Sequence, residues 1–148
     1  MFPPNLITEA RIRCGSEIIS KKRLLESLGE LLSAAIPELT PETVFERLLE
    51  RERLGSTGLG HGVALPHARV REVVTPVGAF IQLQQPVEFD AIDDRPVDLA
   101  FALLVPEAAD ERHLQLLSGL AARFDQPAVR EQLRACTSDT QVLRILME

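Results

Sequence analysis

Residues 95–107 read RPVDLAFALLVPE. Seven consecutive apolar residues, Leu99 to Val105, lie between Pro96 and Pro106. The run is far short of a membrane span, and it lacks the alternation of a strand with one wet face. Bounded by prolines, it reads as a central strand buried on both faces. Upstream, residues 77–83 alternate: Val77, Ala79, Ile81 and Leu83 share one side, with Phe80 among the others. That is a second strand, partly buried on both faces.

Beyond Pro106 the period changes to helical. Leu114, Leu117, Leu120, Ala121 and Phe124 predict one stripe; Pro127 opens a short helix carrying Val129 and Leu133. Ser138-Asp-Thr-Gln141 has the form of a capping box for a last helix bearing Val142, Leu143 and Leu146. On the N-terminal side, Ser20 caps a stripe of Leu24, Leu25, Leu28, Leu31, Leu32, Ala35 and Ile36, which Pro37 ends. Thr40-Pro41-Glu42 supplies cap, first-turn proline and carboxylate for a second helix, with Val44, Phe45, Leu48 and Leu49 facing inward and Gly55 closing it. Residues 1–17 show no clear periodicity, although a short strand around Ile7 to Ile12 is compatible with them. Helices flanking a strongly apolar strand predict an α/β fold in one domain over 1–148, a mixed sheet covered by helices on both faces.

Composition narrows the chemistry. The chain has 148 residues, 45% apolar and 26% charged, with a formal charge of −6. That balance argues against a nucleic-acid partner, whose phosphates are held chiefly by Lys and Arg. Zero Trp and zero Tyr weaken base stacking further. MFPPNLITEARIR lacks the basic and apolar regions of a signal peptide. Cys14 and Cys136 form no disulfide framework and lack metal-ligand spacing. The expectation is a soluble cytoplasmic protein with reduced thiols, no cofactor and no membrane insertion.

The segment between the second helix and the strands reads GSTGLGHGVALPHARV, residues 55–70. Its glycines do not lead into Gly-Lys-Ser/Thr, so it is no nucleotide P-loop, and no strand precedes it as a dinucleotide fingerprint requires. A three-histidine zinc site from His61, His67 and His113 is one alternative, though no His-x-x-x-His pair supports it. The other is a phosphoryl acceptor: Pro66 makes Leu65 extended, placing His67 at a strand end beside exposed backbone N–H groups. Ser56 and Thr57 would contact phosphate oxygens, and Arg51 and Arg53 would add guanidinium forks. The residues also allow a plainer reading, with a surface histidine, a simple connector and arginines that answer the helix dipole.

LLERERLGSTGLGHGVALPHARV together with PVEFDAIDDRPVDLAFALLVP resembles the enzyme IIA domain of the mannitol/fructose class in the bacterial phosphoenolpyruvate phosphotransferase system, and its nitrogen-regulatory branch in particular. The resemblance runs from about Ser20 to Ile145. It implies that His67, in PHAR, accepts a phosphoryl group at its Nε2 (tele) nitrogen from an HPr-like phosphocarrier. It implies supporting roles for Arg51 and for His113 in ERHLQLLSGLA, and no metal. His61 has no counterpart, relatives commonly showing Asn there, and Ala68 departs from a frequent glycine. The family also implies regulatory targets such as a potassium transporter or sensor kinase. Alternatives are a stand-alone sugar-specific IIA serving a separate IIB, or a binding module without phosphorylation; with 148 residues, no attached IIB or membrane IIC domain is expected. Leu59, Val63, Ala64, Leu65 and Pro66 would form an apolar dock around His67.

Overall fold

The computed structural model describes residues 2–108 and 110–148. The proline-bounded run is the heart of β6 (Val97–Pro106), which pairs antiparallel with β5 (Val77–Val87). Along β6 the side chains alternate between two cores. Leu99, Phe101, Leu103 and Val105 join one, and Ala100, Ala102 and Leu104 join the other. Small residues on the second side let the first two helices sit close to the sheet.

These are α1 (Lys21–Ser33) and α2 (Pro41–Arg53). Ser20 Oγ accepts from the Arg23 N–H at 3.2 Å and Thr40 Oγ1 from the Thr43 N–H at 3.1 Å, so both predicted caps form. α1 stops at Ser33, short of the predicted Ile36: Ala35 and Ile36 bond back only three residues, tightening the end before Pro37. A Cβ on Gly29 would lie 3.1 Å from the Pro41 carbonyl oxygen, so the helix pair depends on a residue without one.

The opposite face carries α3 (Glu111–Phe124), α4 (Pro127–Ala135) and α5 (Asp139–Met147). Ser138 caps α5 at the Gln141 N–H, but Gln141 Oε1 accepts from the Thr137 N–H at 2.9 Å, one residue before the position a capping box requires. α3 is rotated from its predicted stripe. Leu116, Leu120 and Phe124 are buried, whereas Leu114 is exposed and Leu117 half-buried. The helix meets the sheet along the 116/120/124 row because Phe124 stacks parallel to Phe80 at a centroid distance of 6.4 Å and meets Phe101 in a tilted contact at 6.1 Å.

Near the N-terminus the predicted strand is displaced. Glu9–Arg11 form a 3-10 turn, and β1 is Ile12–Ser16, parallel to β5. Leu6 and Ile7 are buried instead, and Arg11 Nε donates to the Gly78 carbonyl at 2.8 Å. The glycine segment folds into β2 (Gly58–Gly60) and β3 (Val63–Ala64), an antiparallel hairpin, followed by β4 (His67–Val70). The strand order is β1-β5-β6-β3-β2, with β4 also on β6. The expected mixed sheet with helices on both faces is what forms.

Candidate active site

β3 and β4 are two pieces of one interrupted strand. Val63 and Ala64 pair with Leu99 and Ala100, and His67 to Val70 pair with Leu103 to Pro106, in unbroken parallel register. The interruption is Leu65-Pro66, where proline has no N–H to give. His67 is therefore the first residue of a resumed strand rather than the residue after a strand end. Across the gap, its Nδ1 lies 2.8 Å from the Leu65 carbonyl oxygen. A carbonyl can only accept, so Nδ1 carries the proton and Nε2 keeps its lone pair. Burial is the largest influence on the ring and holds it below the ordinary histidine range. The Leu65 carbonyl and Glu52 pull upward, while Arg51 and Arg69 add to the downward effect. The side chain is thus neutral at pH 7.

His67 lines a cavity of about 450 Å³ formed where α2 and α3 flank β4. Arg47, Arg51 and Arg69 make its basic wall, and Leu54, Leu114 and Leu117 its apolar one. A smaller hollow of about 290 Å³ lies on the loop side and shares His67, Arg51 and Leu117 with the first. Arg51 Nη1 donates to the Gly55 carbonyl at 2.9 Å, which fixes the guanidinium plane in the last turn of α2. His113 borders the same cavity from the first turn of α3. The Asp110 N–H donates to its Nδ1 at 3.1 Å, part of a capping box. That nitrogen must therefore be an acceptor, which puts the His113 proton on Nε2. The two histidines hold opposite tautomers, and among the described residues neither the Nε2 lone pair of His67 nor the Nε2–H of His113 has a hydrogen-bond partner.

Residues 5–148 match the model of the family described as phosphoenolpyruvate-dependent sugar phosphotransferase system, EIIA 2. The chain belongs to this family. It is 46% identical over 129 residues to a nitrogen regulatory protein of Pseudomonas aeruginosa, covering 87% of this chain and 84% of that one. The structure of nitrogen regulatory protein IIA-Ntr from Neisseria meningitidis superposes with a TM-score of 0.91 at 48% identity, covering 95% of this chain and 96% of that one. IIA mannitol from Escherichia coli gives a TM-score of 0.77 at 27% identity, covering 94% and 97%. As an EIIA chain, this protein is a component of the phosphotransferase system.

Within this EIIA fold the structure gives other sequence candidates different work. Thr57 is buried, and its hydroxyl donates to Glu52 Oε2 at 2.6 Å. Ser56 Oγ donates to the Phe89 carbonyl at 3.1 Å and accepts from the Gly58 N–H at 3.1 Å. Both hydroxyl protons are used inside the protein, so the expected phosphate contacts from Ser56 and Thr57 do not follow from this geometry. The loop N–H groups of Gly58 and His61 are likewise engaged, by Ser56 and Asp93. His61 is exposed at φ 56° and Gly62 follows at φ 81°, the backbone of a two-residue hairpin turn in which Asn-Gly is the common pair. Its role is that of a turn residue. Among the described residues, no group of three His, Cys, Asp or Glu side chains could hold a metal ion, which removes the zinc alternative. No helix of the described chain is long and apolar enough to cross a membrane.

The expected apolar dock is also corrected. Val63, Ala64, Leu65 and Pro66 are buried in the sheet; the apolar surface beside the site is Leu54 at 85% exposure, Leu114 at 58% and Leu59 at 39%. Arg47 and Arg69 were missed by sequence reasoning, though Arg47 stands one helical turn before Arg51. Ser118, which borders the smaller hollow one turn after Leu114, offered no sequence signal.

Proposed function

We propose that this EIIA protein is a phosphohistidine carrier and regulator of the nitrogen-type system in the cytoplasm, accepting a phosphoryl group on His67 Nε2 from an HPr-like phosphocarrier. The observation that carries this reading is the 2.8 Å contact between His67 Nδ1 and the Leu65 carbonyl, which leaves a neutral ring with its other lone pair toward a basic cavity. Transfer forms the Nε2–P bond as the donor's N–P bond breaks. The donor imidazole leaves with its electron pair, and no proton moves at His67, because Nδ1–H stays on Leu65. Arg51 and the Nε2–H of His113 stabilise charge on the phosphoryl oxygens as it passes between the two nitrogens.

Leu54, Leu59 and Leu114 give a docking partner an apolar rim around the acceptor. Phosphorylation adds nearly two negative charges at its centre, and burying them against an apolar partner is costly. Differential affinity for the two charge states is then enough for regulation. A potassium transporter or a sensor kinase is the expected type of target. The greater identity to nitrogen regulatory proteins than to IIA mannitol favours this branch over a sugar-specific IIA.

Incubation with enzyme I, a histidine carrier and phosphoenolpyruvate should add one phosphoryl group by intact mass, labile in acid and stable in base. Labelling of His67→Ala at the wild-type rate would refute the assignment. For the output, calorimetric titration of a target should show weaker binding to the phosphorylated protein and to His67→Asp than to His67→Ala; equal affinity for both charge states of the wild type refutes the switch.

A further inference from the structure

Glu52 follows Arg51 on α2 but points the other way, into the protein, with its side chain 3% exposed. A carboxylate buried so deeply must be fully partnered to remain charged. Oε1 accepts from the Thr57 N–H at 3.0 Å and lies 3.0 Å from Lys21 Nζ, while Oε2 accepts from the Thr57 hydroxyl at 2.6 Å. Lys21 in turn donates to the Phe89 carbonyl at 3.0 Å and sits 4.5 Å above the Phe89 ring. One carboxylate therefore joins the end of α2, the start of α1, the glycine loop and the segment after β5.

The chain of contacts continues to the site. The Thr57 carbonyl accepts from the Leu65 N–H at 3.0 Å, and the Leu65 carbonyl holds His67 Nδ1 at 2.8 Å. The N–H and C=O of Thr57 belong to successive peptide units, so this link transmits position rather than a conjugated dipole. We infer that Glu52 is a positioning residue for His67: its buried carboxylate, through Thr57 and Leu65, fixes the carbonyl that decides which nitrogen of His67 faces the cavity. The same carboxylate anchors the turn of α2 on which Arg51 sits. It touches no reacting atom. Its charge also reaches the ring through space, opposing the effect of Arg51 and Arg69. The other charged or titratable groups lining the cavity are Arg47 and Glu50 from α2 and His113 from α3.

The inference deepens the reading of His67 as acceptor, but its first test needs no phosphoryl transfer. Long-range proton–nitrogen spectra of the full chain should show His67 of the wild type protonated at Nδ1. In Glu52→Gln the ring should shift toward a mixture of tautomers, and its titration midpoint should fall because an upward influence is lost. Thr57→Val, which removes only the hydroxyl donor, should move the ring the same way by less, and Thr57→Ser should restore it. Phosphoryl acceptance should slow in the same order, approaching about 100-fold in Glu52→Gln, as expected when an acceptor is misplaced by about an ångström. Val129→Ala, on the buried face of α4, is the structural control: it should lower the melting temperature and leave the tautomer alone. If Glu52→Gln does not fold, Thr57→Val and Thr57→Ser carry the test. Folded Glu52→Gln or Thr57→Val with an unchanged tautomer and midpoint would overturn the inference. A wild type that accepts no phosphate, alongside a shifted tautomer in Glu52→Gln, would refute the functional reading and support this one.

Discussion

Replacing Arg51 with lysine keeps the charge and removes the geometry. In the structure Nη1 is occupied by the Gly55 carbonyl at 2.9 Å, so the remaining N–H groups of the fork are held at a fixed angle beside the cavity that His67 lines. A lysine ammonium is a mobile point charge and cannot serve the carbonyl and a phosphoryl oxygen in one rigid plane. The loss amounts to roughly one charge-assisted hydrogen bond, worth about 1.5–3 kcal/mol. At 1.36 kcal/mol per decade, transfer should slow by roughly 10- to 150-fold. Arg51→Ala, which loses the charge as well, should fall by about 10²–10³. Stability should scarcely change, because the Gly55 contact is exposed: a shift within about 0.5 kcal/mol moves the melting temperature by about 2 °C or less in a domain of this size. The assay is single-turnover transfer from a phosphorylated histidine carrier by quench flow, with a thermal melt of each variant. Lysine and alanine variants that both transfer within threefold of wild type, with unchanged melts, would refute the reasoning.

Since burial depresses His67 in the folded state, the unfolded chain binds its proton first as the pH falls through about 6.5, and stability is lost in that direction. Urea midpoints of the wild type should therefore drop more between pH 7.5 and 5.5 than those of His67→Gln; parallel losses would contradict the depressed titration. His61→Asn should preserve both melting temperature and phosphorylation, since Asn accepts the left-handed backbone at φ 56°, whereas His61→Val should cost about 1–2 kcal/mol by urea titration. The Cys14 thiol is pushed up to about 11, first by burial and then by the nearby Asp139 carboxylate. At pH 8 only about one part in a thousand is thiolate, so a disulfide reagent should modify it more than about a hundredfold more slowly than a free cysteine; fast labelling of folded protein would show the thiol to be open.

Much of the architecture is local and therefore legible in the sequence. The Ser20, Thr40 and Ser138 caps each bond a backbone N–H three residues away, so the residues that determine them sit side by side in the chain. The run from Leu99 to Val105 marks β6 because burial on both faces leaves no position for a polar residue. His67 stands out for a local reason too, since Pro66 breaks the strand and the carbonyl that holds the ring is only two residues back. Other features wait for the tertiary fold because their partners are remote. β1 becomes a strand only by lying along β5, with Ile12 opposite Phe80, and the residues from Ile7 to Arg11 carry no period that announces it. The rotation of α3 follows from where Phe124 meets Phe80 and Phe101, and it turns Leu114 and Leu117 from supposed core into the wall of the site. Ser56 and Thr57 look like phosphate ligands in sequence because a hydroxyl does not declare its acceptor; Phe89 and Glu52 take them once the loop closes over a buried carboxylate. His113 reaches the cavity of His67 across forty-six residues of chain because α3, seated on β6 through Leu116 and Leu120, lines the same cavity as β4. Hydrogen-bond periodicity and capping act over three or four residues, whereas the choice of which face is buried and which hydroxyl is spent depends on neighbours that only the folded chain brings within reach.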